Sequence, residues 1–322
     1  MTLLSNCTAK SVKDAAKSLV TGQLVAFPTE TVYGLGADAL NQRAVGRVYQ
    51  AKGRPLNHPL IVHIASINNL TKWTKDIPEY AIKLAANFWP GPMTLILPRT
   101  DLAKDYITGG QENVGVRVPS HPIAIMLLDE FEALGGYGIA APSANRFGKV
   151  SPTSANDVKL ELENFLQSQD IILNGGSSSV GVESTIIKCI GPTPTILRTG
   201  AITISMVNNL LGIKIDASTQ ESIDQIRVPG LFRSHYAPSA KVFISGTPTI
   251  GDGFIALSKF STPLGAIRLA SPKNNEDFAR TLYKGLRLAD SKQLARVFVI
   301  PPTGDDIATA IRDRLQKAAQ KE

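Results

Sequence analysis

Val12, Ala15, Ala16 and Leu19 recur at helical spacing over residues 11–20 and Gly22 follows them, so the chain is predicted to open with a glycine-terminated helix. The apolar run 24–27 predicts a strand that Pro28 ends. It delivers the polar segment Thr29-Glu30-Thr31 to the strand's C-terminal end, where α/β proteins place ligands. Gly34-Leu35-Gly36 reads as a glycine turn before a helix over 42–51, which Gly53 and Pro55 stop, leaving Lys52 and Arg54 on the exit loop. Further strands are expected at 60–64, 93–97, 114–118, 138–141, 170–173, 184–190 and 195–198. Helices are expected after a Ser66 cap, from Pro78 to about Trp89, over 122–133, from about 155 and near 204–211. Residues 212–240 break the periodicity with Pro229-Gly230 and Pro238. Beyond them, strand-like runs at 242–244, 253–257 and 297–300 and helical patterns at 276–290 and 304–320 make a small α/β unit. The expected organisation is a first domain over 1–215, a linker over 216–240 and a small C-terminal domain over 241–322.

With 322 residues, 43% hydrophobic and 19% charged, the chain can bury two cores. Two cysteines, Cys7 and Cys189, exclude a disulfide framework and a four-thiolate zinc site within one chain. No apolar run approaches the roughly 20 residues a membrane span needs, and no leader is evident, so a cytoplasmic protein without a membrane partner is expected. The net charge of +7 is spread along the chain, with 19 basic against 16 acidic side chains in residues 1–215 and 15 against 11 in 216–322. This mild excess suits anionic substrates or transient RNA contact.

Gly34-Leu35-Gly36-Ala37-Asp38-Ala39 matches a relaxed dinucleotide pattern, but it lacks the strand-turn-helix context and the acidic residue some 20 positions on, so a nicotinamide site is rejected. No P-loop, nucleophile elbow or helical His-Glu pair occurs. His58 and His63, with Pro59 between them and no third His or Cys nearby, make a poor zinc pair. What recurs is a set of cations and small hydroxyls at expected strand ends: Lys52, Arg54, Arg117, Ser143, Asn145, Ser151, Ser184, Thr185 and Arg198. Singly each is an ordinary surface group; together they read as an anion cradle.

At 27–36 (FPTETVYGLG), 52–64 (KGRPLNHPLIVHI), 114–122 (VGVRVPSHP), 139–145 (IAAPSAN) and 181–186 (GVESTI) the sequence resembles the YrdC-like threonylcarbamoyl-AMP synthases. The string VPGLFRSHYAP over 228–238 resembles the linker of that family's long, two-domain branch. The resemblance implies a twisted mixed sheet with flanking helices, followed by a small Rossmann-like α/β domain. It implies that L-threonine, bicarbonate and ATP, with Mg2+, give threonylcarbamoyl-AMP and pyrophosphate for modification of an adenosine in tRNA. A downstream threonylcarbamoyl transferase complex would be a partner, and tRNA contact would be compatible. Residue by residue, the resemblance makes Lys52 and Arg54 the catalytic cations on the phosphates. His58, Ser143, Asn145, Ser151, Arg198, His235 and Tyr236 join them at ATP, the last two as a lid. It places Thr31, His63, Arg117, Ala141 and Thr185 at threonine, with Arg117 suited to a bidentate grip on the carboxylate. No resident metal site is implied.

Two rival readings remain. A carbamoyltransferase using carbamoyl phosphate, as in hydrogenase maturation proteins, carries cysteine-rich zinc modules that two cysteines cannot build. A non-catalytic module binding double-stranded RNA or tRNA through a basic concave face would gain little from Thr31, His63 and Thr185, uncharged groups suited to reading a small amino acid.

Overall fold

A computed structural model describes residues 3–215, 227 and 236–320. His235 and nearly all of the segment 216–235 lie outside the described residues. Strands β1 (Leu3–Asn6), β2 (Val25–Phe27), β3 (Gly34–Asp38), β4 (Ile61–His63), β5 (Met93–Pro98), β6 (Asn113–Arg117), β7 (Ile139–Ala140), β8 (Ile171–Asn174), β9 (Thr185–Lys188) and β10 (Thr195–Arg198) form one mixed sheet. Its spatial order is β1-β8-β2-β3-β7-β4-β6-β5-β9-β10. Helices α1 (Ala9–Val20), α2 (Gln42–Lys52), α3 (Leu70–Trp73), α4 (Glu79–Phe88), α5 (Asp105–Thr108), α6 (Pro122–Ala133), α7 (Ala155–Leu162) and α8 (Ile204–Leu211) flank it.

Successive strand residues serve opposite faces, as the two-residue period of a strand requires. Val25 and Phe27, with Ile139, Ile171 and Leu173, pack under α1 and α6, whereas Ala26, Ala140 and Ile172 join Val45, Val48, Trp73 and Leu84 on the other face. The first helix forms where its pattern predicts because Thr8 caps it: the Thr8 Oγ1 accepts from the Ser11 N–H while the Ser11 Oγ accepts from the Thr8 N–H.

The glycines at 34 and 36 do not make a turn; they lie inside β3. A β-carbon on Gly36 would stand 2.6 Å from Ile139 Cγ2 and 2.8 Å from Phe27 Cε1, so glycine is needed there for close strand and ring approach. β1 and a strand over Ile267–Ala270 carried no clear pattern; each is four residues long.

The second unit is a parallel sheet of β11 (Lys241–Phe243), β12 (Gly253–Ile255), β13 (Ile267–Ala270) and β14 (Arg296–Val299) in the order β11-β14-β12-β13, packed by α9 (Asn275–Ser291) and α10 (Ala308–Ala319). Its core does not stop at its own elements. Val32, Val150, Val182 and Tyr236 pack into the same apolar cluster as Phe278, Leu282, Tyr283, Ile311 and Leu315. Among the described residues no helix is long and apolar enough to cross a membrane.

Candidate active site

Polar side chains converge where the C-terminal ends of the central strands β4 and β6 meet the loop that follows β2. β4 and β6 run parallel with His63 beside Arg117, so their C-terminal ends present an imidazole and a guanidinium next to each other. The loop after β2 is folded by Thr29: its Oγ1 donates to the Val32 carbonyl at 2.6 Å and accepts from the N–H groups of Thr31 and Val32, both at 3.2 Å. That turn carries Glu30 and Thr31 to Arg117. The guanidinium donates through Nη2 to Glu30 Oε1 at 2.6 Å, through Nη1 to Thr31 Oγ1 at 3.0 Å and through Nε to the Gly91 carbonyl at 3.2 Å. The Ser120 N–H donates to the other Glu30 oxygen at 3.1 Å. Burial pushes the Glu30 carboxyl up, but the Arg117 charge and these hydrogen bonds outweigh it and hold Glu30 below the usual carboxylate range. His63 is held neutral: burial first, then the Arg117 charge, lowers its pKa to about 3. Its Nδ1 is buried with no hydrogen-bond partner among the described residues.

The opposite wall grows from α2. Gly53 takes the left-handed conformation that ends the helix (φ 61°), turning the chain so that Lys52 points inward and Arg54 follows on the loop. Lys52 is buried and donates through Nζ to the carbonyls of Ser143 and Asn145. Burial, and then the charge on Arg54, lowers its pKa well below the ordinary lysine value. Arg54 donates to the carbonyls of His58 at 3.2 Å and Pro59 at 2.9 Å. His58 is buried beside the Phe147 ring, centroids 5.2 Å apart, and burial followed by the Arg54 charge lowers its pKa to about 4. Asn145 donates through Nδ2 to the carbonyls of Arg146 and Lys149 at 2.7 and 2.9 Å, while its Oδ1 is buried without a partner among the described residues. Arg198, at the end of β10, donates to the Ser184 carbonyl at 3.0 Å and to Ser184 Oγ at 3.1 Å.

Between these walls lies a cleft enclosing about 560 Å³ of space, its open mouth included. Thr31, His63, Arg117 and Ala141 line one part, and Arg54, Ser143, Ser184, Arg198 and Tyr236 another. Lys52, His58, Asn145, Ser151 and Thr185 do not line it. Lys52 and Asn145 shape the 143–145 loop from behind. The Thr185 hydroxyl faces a turn, donating to the Ile202 carbonyl at 2.7 Å and accepting from its N–H at 3.1 Å. The Ser151 Oγ donates to Glu183 Oε1 at 2.6 Å.

Three arginines but one acid, Glu183, line the cleft, and Glu30 behind it is already paired with Arg117. Such an excess of buried positive charge is costly until an anion enters. The arrangement can therefore receive a polyanion on the Arg54–Arg198 side and a small zwitterion on the Glu30–Arg117 side. Among the described residues no three His, Cys, Asp or Glu side chains converge as a metal-ligand set.

Glu30 and Glu183 escaped the sequence-based site, although both sit inside recognised motif strings. A single acid flanked by threonines or serine would have been the signal. Tyr283 and Arg314, which reach Glu183 from the C-terminal unit, sit in no motif at all.

The fold and cleft define an α/β small-molecule enzyme of the YrdC-like type with a parallel α/β domain attached. The Sua5/YciO/YrdC family profile, described as "Telomere recombination", matches residues 17–200, and the profile "Threonylcarbamoyl-AMP synthase, C-terminal domain" matches residues 202–320. The threonylcarbamoyl-AMP synthase of Pyrococcus abyssi is 38% identical over 99% of this chain and 98% of its own length, and that of Bacillus subtilis 38% over 96% and 92%. The crystal structure of Pyrococcus abyssi Sua5 complexed with L-threonine superposes with a TM-score of 0.87 at 36% identity, covering 99% of this chain and 98% of that one. This chain belongs to the threonylcarbamoyl-AMP synthase family.

Proposed function

We infer that this chain makes threonylcarbamoyl-AMP from L-threonine, bicarbonate and ATP. L-Threonine and bicarbonate condense to a carbamate with loss of water. A carbamate oxygen then attacks the α-phosphorus of ATP, the bond to the β-phosphate breaks, and pyrophosphate leaves. The observation that carries this reading is the cleft's division into a cation-rich wall at Arg54 and Arg198 and an end where Arg117 is paired with Glu30 beside Thr31 and His63.

At the threonine end, Arg117 keeps one N–H on each terminal nitrogen free of its bonds to Glu30 and Thr31, enough for a two-point grip on a carboxylate. Thr31 and the neutral His63 stand beside that carboxylate. The Pyrococcus abyssi relative was crystallised with L-threonine, which supports threonine as the amino-acid substrate. At the nucleotide end, Arg54 and Arg198 face the triphosphate from the cleft wall, with Ser143 and Tyr236 beside it. Lys52 acts through the Ser143–Asn145 loop that its ammonium holds. These groups work by positioning and by neutralising charge that grows on the leaving pyrophosphate, so no covalent enzyme intermediate is needed.

Among the described residues no resident cation site assembles, and magnesium belongs with ATP as part of the substrate. The product serves a downstream transferase acting on tRNA in the cytoplasm. Pyrophosphate release from ATP and bicarbonate, measured with L-threonine, with L-serine and without amino acid, tests the reading. Threonine-dependent release supports it; release independent of threonine, or none, refutes it.

A further inference from the structure

The loop carrying Glu183 is gripped from behind by the C-terminal unit. Glu183 is 6% exposed, and its carboxylate accepts from Arg314 Nε at 2.8 Å, from the Tyr283 hydroxyl at 2.9 Å and from Ser151 Oγ at 2.6 Å. Arg314 comes from α10 and Tyr283 from α9, 131 and 100 residues away along the chain. Two residues earlier, Gly181 (φ +84°) lies against the α9 backbone: a β-carbon there would stand 2.4 Å from Arg280 Cα and 2.5 Å from the Ala279 carbonyl oxygen. The contact is therefore backbone to backbone.

Arg314 does more than pair with Glu183. Its Nη2 donates to the Thr199 carbonyl at 3.0 Å and its Nη1 to Asp313, while its guanidinium stands 5.2 Å over the Tyr236 ring. That ring stacks in turn on Tyr283, centroids 5.9 Å apart and planes 25° from parallel. Glu183 precedes Ser184, the anchor of Arg198, and Thr199 follows Arg198. One side chain from the last helix thus brackets Arg198 on both sides and seats Tyr236, the two cleft groups given to the nucleotide.

We propose that Arg314 and Tyr283 are positioning residues for the nucleotide side of the cleft, so that the C-terminal domain sets the enzyme's grip on ATP without touching ATP. This rests on the assignment of Arg198 and Tyr236 to ATP made above. Domain attachment alone would predict lower stability with both substrates affected equally. Positioning predicts a split between them, because the polar partners of Arg314 among the described residues are Glu183, Thr199 and Asp313, and no hydrogen bond or ion pair joins it to Glu30, Arg117 or His63.

The test is steady-state pyrophosphate release by the full chain and its Arg314→Met, Arg314→Lys and Tyr283→Phe variants, with ATP and threonine each varied at saturating levels of the other. Arg314→Met is expected to raise KM for ATP roughly tenfold or more, as expected for loss of a charge-assisted hydrogen bond, with KM for threonine within about twofold. Tyr283→Phe keeps the ring and removes only the hydroxyl; it should move KM for ATP the same way by about threefold, in line with one neutral hydrogen bond. Arg314→Lys should recover part of the loss. If Arg314→Met does not fold, Tyr283→Phe decides alone. Equal rises in both KM values, or no change in either from a folded variant, overturns the proposal. Should the unaltered chain release no pyrophosphate, the functional reading fails, and calorimetric ATP binding by the same variants still judges the positioning role.

Discussion

His63 ends β4 as a buried, neutral imidazole, and folding must therefore exclude the proton that the unfolded chain would carry. Its folded pKa, about 3, lies below the ordinary histidine value of 6.5. Below pH 6.5 the unfolded chain binds a proton that the folded chain refuses, so stability is full above that pH and falls on acidification towards pH 3. The slope from this group approaches about 1.4 kcal/mol per pH unit. Urea unfolding between pH 4.5 and 7.5 should show a shallower acid loss in His63→Gln than in the unaltered chain; identical slopes would show that the ring is protonated in place. Arg54→Ala removes a cleft-lining cation and should cut turnover on the order of a hundredfold, with a loss of stability from the His58 and Pro59 carbonyls it leaves unpaired. Lys52→Ala removes the ammonium that ties Ser143 to Asn145, so turnover and melting temperature should fall together. A Lys52→Ala protein as stable as the unaltered chain would mean that those carbonyl bonds carry little weight.

Elements with one buried face were readable from the sequence because their periodicity is the imprint of that face. The helix at Pro122–Ala133 and the strand at Thr195–Arg198 fall where the pattern puts them. β3 was misread as a turn because glycine signals both conformational freedom and close approach, and a local pattern cannot separate them. Gly200 is a second case of close approach: a β-carbon there would meet the Thr185 nitrogen at 2.4 Å and the Glu183 carbonyl oxygen at 2.7 Å. Backbone atoms cannot give way as a flexible side chain can. Gly200→Ala should therefore destabilise the chain by about 1–3 kcal/mol, the usual range for overpacking, and shift Glu183 and Ser184. A melting curve unchanged by that substitution would contradict the packing described.

At the scale of the whole molecule, the site's cations were legible because they cluster in short motif strings, while what holds them was not. Glu183 meets Tyr283 across 100 positions and Arg314 across 131, separations at which no local spacing rule operates. The two units share an apolar cluster and a buried ionic network, so ligand binding should stabilise them together. Threonine or ATP at a hundredfold excess over its dissociation constant should add about 2.7 kcal/mol to unfolding in a single transition. Two separated transitions, only one of them shifted, would argue against that coupling. The central claim is that one cleft joins carbon from bicarbonate, an amino acid and an adenylate. Incubating the chain with ATP, L-threonine and 13C-labelled bicarbonate and weighing the nucleotide products tests it most directly. The account predicts threonylcarbamoyl-AMP heavier by the single labelled carbon; AMP and pyrophosphate with no labelled adduct would contradict it.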